Sequence, residues 1–184
     1  MYLHSKLKNR SKPIRIGFIG CGKFVSMFLA QYNQLEKIQI DTIVDVNIEK
    51  AKKNCLNSGL NEKTISNINF TNSLDNTLER DIEIFIEATG NPIIGTVHAT
   101  KIINNKKHII LVNVEADVTC GKFLSDLANK NNVVCSMAYG DQPSLIMEQI
   151  EWARLNGFEV ICAGKGTCLL YTSDAADELL GVGL

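Results

Sequence analysis

Ile14 to Gln34 reads IRIGFIGCGKFVSMFLAQYNQ, and in order it holds an apolar strand, a glycine turn and an amphipathic helix. Ile14, Ile16, Phe18 and Ile19 suit a strand buried on both faces. Gly20 and Gly22 then let the backbone turn tightly and let a pyrophosphate approach with no Cβ in the way. Past Lys23, Phe24, Phe28 and Leu35 recur near helical spacing beside Val25 and Leu29, so the helix directs its first N–H groups back at the turn. Gly20-Cys21-Gly22-Lys23-Phe24-Val25 carries the first two glycines of G-x-G-x-x-G and has Val25 at the third. That third glycine serves helix–strand packing, so a slightly wider approach is expected and the phosphate site is kept. A glycine turn in any α/β protein reads the same way in isolation, and the rest of the chain has to decide.

Ile38 to Val46 reads as a second strand ending at Asp45, about 25 residues past Gly20, where an acidic residue holds an adenosine ribose. The alternative is that Asp45 or Asn47 caps the helix that begins near Ile48. That helix is expected to carry Ala51, Cys55 and Leu56 inward, to pair Glu49 with Lys53, and to stop at Gly59. Phe70 marks a short third strand and Leu74 to Leu78 a short helix.

Ile82 to Glu87 is a fourth strand that breaks at Ala88-Thr89-Gly90-Asn91-Pro92 and feeds a helix running to about Asn105. Loops at strand C-termini line the ligand crevice of a doubly wound sheet, so Thr89, Gly90 and Asn91 are expected beside the cofactor. His98, two turns into that helix, reads as a packed or surface histidine rather than an acid–base group. Ile109 to Val114 is a fifth strand, followed by Glu115-Ala116-Asp117 and a helix from near Thr119. Its stripe is Cys120, Phe123, Leu124, Leu127 and Ala128. Carboxylates at that strand end could bind substrate or cap the helix. Val133 to Ala138 is a sixth strand, a helix then runs to Asn156, and Phe158 to Ala163 reads as a further strand before Gly164-Lys165-Gly166-Thr167. This alternation predicts an α/β fold, a Rossmann doubly wound parallel sheet.

The chain has 184 residues, 45% of them hydrophobic, enough for one compact domain and too few for a large second one. Its net charge is -1, and no basic stripe interleaved with aromatics points to nucleic acid. The six cysteines lack C-x-x-C spacing and no secretory segment precedes them, so they read as reduced residues of a cytoplasmic protein. His4, His98 and His108 share no ligand pattern with them, so no metal site is expected. No apolar run approaches membrane-spanning length.

IGFIGCGKF, EATGNP, ILVNVEADVTCG and YGDQPSLIMEQIEWARLNGFEVICAGKGT together resemble the homoserine-dehydrogenase-like oxidoreductases. Among these the chain is most similar to the reductoisomerase-like proteins, related in role to 1-deoxy-D-xylulose 5-phosphate reductoisomerase, which often carry a C-terminal SAF domain. The resemblance covers Ile14 to Thr167. It implies an N-terminal Rossmann domain binding NAD(P) and a catalytic domain that brings substrate to the nicotinamide. It further implies that Gly20, Gly22, Lys23 and Phe24 hold the pyrophosphate, Asp45 the ribose, and Ala88, Thr89 and Gly90 the nicotinamide side. Homoserine dehydrogenases place a lysine in an Ala-Asn-Lys run at the fifth strand, whereas this chain reads Val112-Asn113-Val114-Glu115. That departure argues against homoserine as substrate. CLLYTSDAADE, in the segment from Cys168 to Leu184, resembles the translation of a DNA sequencing adapter.

The expected organisation is therefore an N-terminal arm over residues 1–12, a Rossmann NAD(P)-binding domain over 13–142, a connecting helix and the truncated start of a catalytic domain over 143–167, and an artefactual tail over 168–184. Lys165, Asp141 and Glu115 are the candidate substrate contacts, with Lys165 able to polarise a carbonyl oxygen or bind a phosphate. The expected partner is a small polar substrate, and copies could pair through the region beyond Thr167. Two functions fit: the cofactor domain of an oxidoreductase, or a non-catalytic module that senses a dinucleotide or supports assembly. Asp45 favours NAD, while Lys50, Lys52 and Lys53 offset its repulsion of a 2′-phosphate, so the expectation is NAD(P).

Overall fold

A computed structural model of the chain describes residues 3–139 and 142–164, in two units divided between Ala138 and Tyr139. The first unit holds six strands, β1 Ile14–Ile19, β2 Ile38–Val44, β3 Asn69–Thr71, β4 Ile84–Glu87, β5 His108–Leu111 and β6 Cys135–Met137. All pair in parallel, in the order β3-β2-β1-β4-β5-β6. This is the doubly wound Rossmann arrangement. The strand order reverses between β1 and β4, which puts the ligand crevice outside their C-terminal ends.

The helices of this unit are α1 Leu3–Lys8, α2 Lys23–Gln31, α3 Ile48–Asn57, α4 Glu62–Ser66, α5 Pro92–Asn104 and α6 Val114–Asn131. They bury two separate cores because β1 alternates its side chains between the two faces of the sheet. Phe18 joins Val25 and Leu29 of α2 and Cys55 of α3 on one face. Ile19 joins Phe85, Ile102 and Ile103 of α5 and Leu124 of α6 on the other. Each such side chain contributes about 1.5–3 kcal/mol by leaving water, so the sheet is held from both sides. Val25, at the third-glycine position, is fully buried.

Four helices start on asparagine. Asn47, Asn61, Asn91 and Asn113 each accept through the side-chain oxygen from the backbone N–H three residues on, at 2.9, 2.8, 3.0 and 3.2 Å. This settles which residue caps α3: Asn47 does, and the Asp45 carboxylate is left for another task.

Several local expectations are corrected. β2 ends at Val44, and Val46 is 94% exposed. β5 ends at Leu111, and α6 begins at Val114 rather than near Thr119, because Asn113 caps it and Glu115 and Asp117 favour the positive end of its dipole. Glu115 thus lies in the first turn of α6, not in a crevice loop. Leu56 and Phe123 are half exposed, and Glu49 pairs with Lys52 at 3.3 Å instead of Lys53. In the arm, Arg10 pairs with Glu83 at 2.8 Å. The second unit holds α7, Gln142–Leu155. Residues 158–163 form no strand; no neighbouring strand there pairs with them, and Phe158 and Ile161 are 62% and 92% exposed.

Candidate functional site

A cleft of about 560 Å³ opens at the C-terminal ends of β1, β2 and β4. Gly20, Cys21 and Gly22 form one wall, Asp45 and Val46 a second, and Ala88, Thr89 and Asn91 a third. The sequence places them together because each group is the first turn after a strand of the central sheet.

The two glycines do different work. Gly20 has φ +86°, and a Cβ there would stand 2.9 Å from the Ala88 carbonyl oxygen, so it serves the fold by letting the β1 turn run against the end of β4. A Cβ on Gly22 would meet nothing within 4 Å. Gly22 is also the cap of α2 and supplies no side-chain acceptor, unlike the asparagines that cap α3 to α6. The first N–H groups of a nine-residue helix therefore face open space without an internal partner. An uncapped helix start beside a vacant glycine fits the diphosphate of a dinucleotide.

Asp45 takes two backbone donors, the N–H of Cys21 at 2.7 Å and that of Asn47 at 2.8 Å, one on each oxygen. Each oxygen keeps a lone pair, so the carboxylate can still accept from ribose hydroxyls. Cys21 is no nucleophile: its hydrogen bond with Cys55, and then burial, hold its thiol far above the ordinary range.

Behind the lining of the cleft lies a buried carboxylate. Glu87, the last residue of β4, is fully buried. Its Oε1 accepts from the Thr89 N–H at 3.1 Å and from the Thr89 hydroxyl. Burial pushes its carboxyl up, but the neighbouring His98, Thr89 and Asn113 side chains outweigh that and hold it below the usual carboxylate range. His98 lines the cleft with Nδ1 at 4.0 Å from Glu87 Oε1. His98 was expected to be packed or on the surface, since only helix termini reach the crevice. It is packed, with its side chain 21% exposed; what the structure corrects is the reach of α5, since Asn91 at its cap and Ile94 and His98 beyond it all line the cleft. Their spacing was visible in the sequence.

The other expected residues divide. Gly20, Gly22, Asp45, Ala88 and Thr89 come together in the cleft. Lys23 and Phe24 begin α2 with side chains outside its lining, leaving their backbone N–H groups as what they can offer. Gly90 sits between Thr89 and Asn91, which do line it. Glu115 is exposed and not part of the lining. Asp141 and Lys165 lie outside the described residues. Among the described residues no group of three His, Cys, Asp or Glu could hold a metal ion, and no helix is long and apolar enough to cross a membrane.

A shikimate kinase from Staphylococcus epidermidis is 26% identical over 121 residues, 64% of this chain and 67% of that protein. Gly17 to Lys23 does have the G-x-x-x-x-G-K spacing of a kinase phosphate loop. Phe24, however, stands where that loop needs Ser or Thr, and Gly17 to Ile19 are paired strand here. The fold likenesses point elsewhere. A homoserine dehydrogenase from Thiobacillus denitrificans superposes with TM-score 0.54 at 18% identity, over 68% of this chain and 29% of that one. The WlbA dehydrogenase from Bordetella pertussis, solved with NADH and UDP-GlcNAcA, superposes with TM-score 0.55 at 18% identity, over 78% of this chain and 43% of that one. The chain thus spans less than half the length of either structure. Residues 140–180 match the family described as oxidoreductase DRL, catalytic domain. Residues 14–139 match the oxidoreductase family with an NAD-binding Rossmann fold, and the chain belongs to that family, with NAD as its cofactor.

Proposed function

We propose that the cleft holds NAD with its diphosphate at Gly22 and the start of α2, its adenosine ribose on Asp45, and its nicotinamide toward Thr89 and Asn91. The observation that carries this reading is the uncapped start of α2 facing vacant space at Gly22, in the same cleft as Asp45. Bound NAD supplies the chemistry, taking or giving a hydride at its nicotinamide ring. The residues of this chain bind and orient: backbone N–H groups neutralise the diphosphate, Asp45 fixes the ribose, and the Glu87–Thr89 contact holds the loop that the nicotinamide faces.

The whole protein is proposed to be an oxidoreductase, reductoisomerase-like or homoserine-dehydrogenase-like, acting in the cytoplasm on the hydroxyl or oxo group of a small polar or phosphorylated substrate. Hydride transfer needs a substrate carbon held against the nicotinamide, and the chain spans 43% of a dehydrogenase that holds both NADH and its sugar ligand. The 184-residue chain is accordingly proposed to bind NAD without turnover. One observation favours the second reading, a non-catalytic sensor: among the described residues no lysine lines the cleft. Calorimetric titration of NAD into the chain, with steady-state assays of the whole protein, separates these. Binding with turnover in the whole protein supports the enzyme, binding without turnover supports the sensor, and no binding removes both.

A further inference from the structure

We propose that His98, its tautomer set by the buried carboxylate of Glu87, reads the purine of the bound dinucleotide by accepting a hydrogen bond from the 6-amino group. The cleft thereby selects adenine over a 6-oxo purine. This rests on the reading of the cleft as the dinucleotide site and adds to it a residue that determines base specificity.

One side of the cleft runs from Asp45 to His98. Asp45 donates its backbone N–H to the Thr71 carbonyl at 2.9 Å, and Val44 pairs with Thr71 across β2 and β3, so Asn72 follows directly beside Asp45. Leu74 also lines the cleft and is buried in one cluster with Ile102 and Ile103 of α5. Asp75 then accepts from Lys101 Nζ at 2.8 Å. His98 lies one turn before Lys101 and Ile102 on that helix, so residues 72–75 bridge the Asp45 end of the cleft to His98. Asn91, on the nicotinamide side, caps the start of α5, and at 1.5 Å per residue His98 stands about 10 Å further along. On a ribose the base and the 5′-phosphate leave from opposite ends. With the ribose on Asp45 and the diphosphate at Gly22, the base therefore points toward Asn72, Leu74 and His98.

Glu87 decides which ring nitrogen carries the hydrogen. His98 Nδ1 is buried without a hydrogen-bond partner among the described residues, and it stands 4.0 Å from Glu87 Oε1. Glu87 is fully buried and its neighbours favour the ionised form. A carboxylate attracts an N–H and repels a ring lone pair, so the neutral imidazole keeps its hydrogen on Nδ1 and leaves Nε2 a bare acceptor. The ring lines the cleft and its side chain is partly exposed while Nδ1 is not, so the Nε2 edge is the one a ligand meets. Adenine brings a donor to that edge in its 6-amino group. Hypoxanthine brings a 6-oxo acceptor, which sets two lone pairs against each other, and a site built around one hydrogen bond rejects the group that cannot make it.

Calorimetry at pH 8 compares NAD with nicotinamide hypoxanthine dinucleotide, which carries the 6-oxo purine instead. The wild-type chain is expected to bind the hypoxanthine dinucleotide about 10- to 100-fold more weakly than NAD. His98→Phe keeps a ring and removes both nitrogens, so it is expected to weaken NAD about tenfold and to bring the two affinities close together. Nitrogen NMR of the wild-type chain, with 15N-labelled imidazoles, decides the matter even where that variant does not fold. The chain holds three histidines, and replacing His4 and His108 with Gln assigns the third. The His98 ring is expected to carry its hydrogen on Nδ1 and to shift its Nε2 signal when NAD is added. Equal wild-type affinities, a preference for NAD that survives His98→Phe, a hydrogen on Nε2, or an Nε2 signal that NAD leaves still would each overturn the proposal while the dinucleotide reading stands. If the wild-type chain binds no NAD, both fall.

Discussion

Asp45 accepts a hydrogen bond from the backbone N–H of Cys21 at 2.7 Å, so the acid that follows β2 is fastened to the glycine turn that follows β1. One residue thereby fixes the cradle and offers the ribose an acceptor. Asp45→Ala is expected to lower NAD affinity by roughly 10- to 100-fold, the worth of a hydrogen bond to a charged group. It should lower NADP affinity much less, because the lost carboxylate also repelled a 2′-phosphate. Calorimetry with both dinucleotides checks this. Equal affinities that do not change in the variant would remove Asp45 from the site.

Gly20 and Gly22 are expected to fail in different ways. A Cβ on Gly20 stands 2.9 Å from a backbone carbonyl oxygen in a left-handed conformation, so Gly20→Ala should destabilise the fold by more than 1 kcal/mol. Gly22→Val places its side chain in open space and should leave thermal stability nearly unchanged while abolishing NAD binding. Melting curves and titrations of the two variants form the comparison. A stable Gly22→Val chain that still binds NAD tightly would refute the cradle.

At the opposite end of the sheet, Asp41 is buried and takes donors from Arg15, Arg80 and Thr42. Burial pushes its carboxyl up, and the two guanidinium groups override this and lower it from 3.8 to about 2. The folded state therefore binds this proton more weakly than the unfolded chain does. The resulting stability is full above about pH 4 and is lost as pH falls through about 2. Asp41→Asn is expected to cost about 2 kcal/mol at pH 7, with the gap to wild type closing below about pH 2. Urea unfolding at a series of pH values measures it, and a gap independent of pH would show that the pair is not what stabilises this end.

Local features are legible in the sequence, and of the non-local ones only those that a motif's spacing carries. Strand, turn and helix over Ile14 to Gln34 follow from contiguous residues, and so did the meeting of Gly20, Gly22 and Asp45 in one cleft. The early start of α6 was also written locally, since Asn113 followed by Glu115 and Asp117 is a cap and an acidic first turn. It was hidden by the apolar run Ile109 to Val114, which reads as an unbroken strand. The cluster at the back of the cleft could not be read in advance. It joins Glu87 of β4, His98 of α5 and Asn113 before α6, and only the parallel pairing of β4 with β5 brings them to one place. Residues 158–163 show the reverse case, an apolar run with strand character and no strand beside it.

Gly95, in the middle of α5, gives that cluster a sharp test. Replacing an interior helical glycine by alanine ordinarily stabilises a protein by up to about 1 kcal/mol. Here the new Cβ would stand 2.7 Å from Asn113 Nδ2 and 2.9 Å from Glu87 Oε2. Both side chains are buried, and Asn113 also caps α6, so neither can swing away without losing its bonds. Disturbing a buried hydrogen-bonded carboxylate costs about 1–3 kcal/mol or more, which exceeds the helix-propensity gain. Gly95→Ala is thus expected to lower stability by about 1–2 kcal/mol, and to weaken NAD binding because Glu87 holds Thr89 at the cleft. Gly121 in α6 is the control. A Cβ there would stand 2.7 Å from Asp117 Oδ1, but Asp117 is only partly buried and its carboxylate can rotate toward water. Gly121→Ala should therefore be neutral or stabilising. Chemical denaturation of both variants decides the matter: if Gly95→Ala gains stability as Gly121→Ala does, then Glu87 and Asn113 are free to move and the cluster does not hold the cleft in shape.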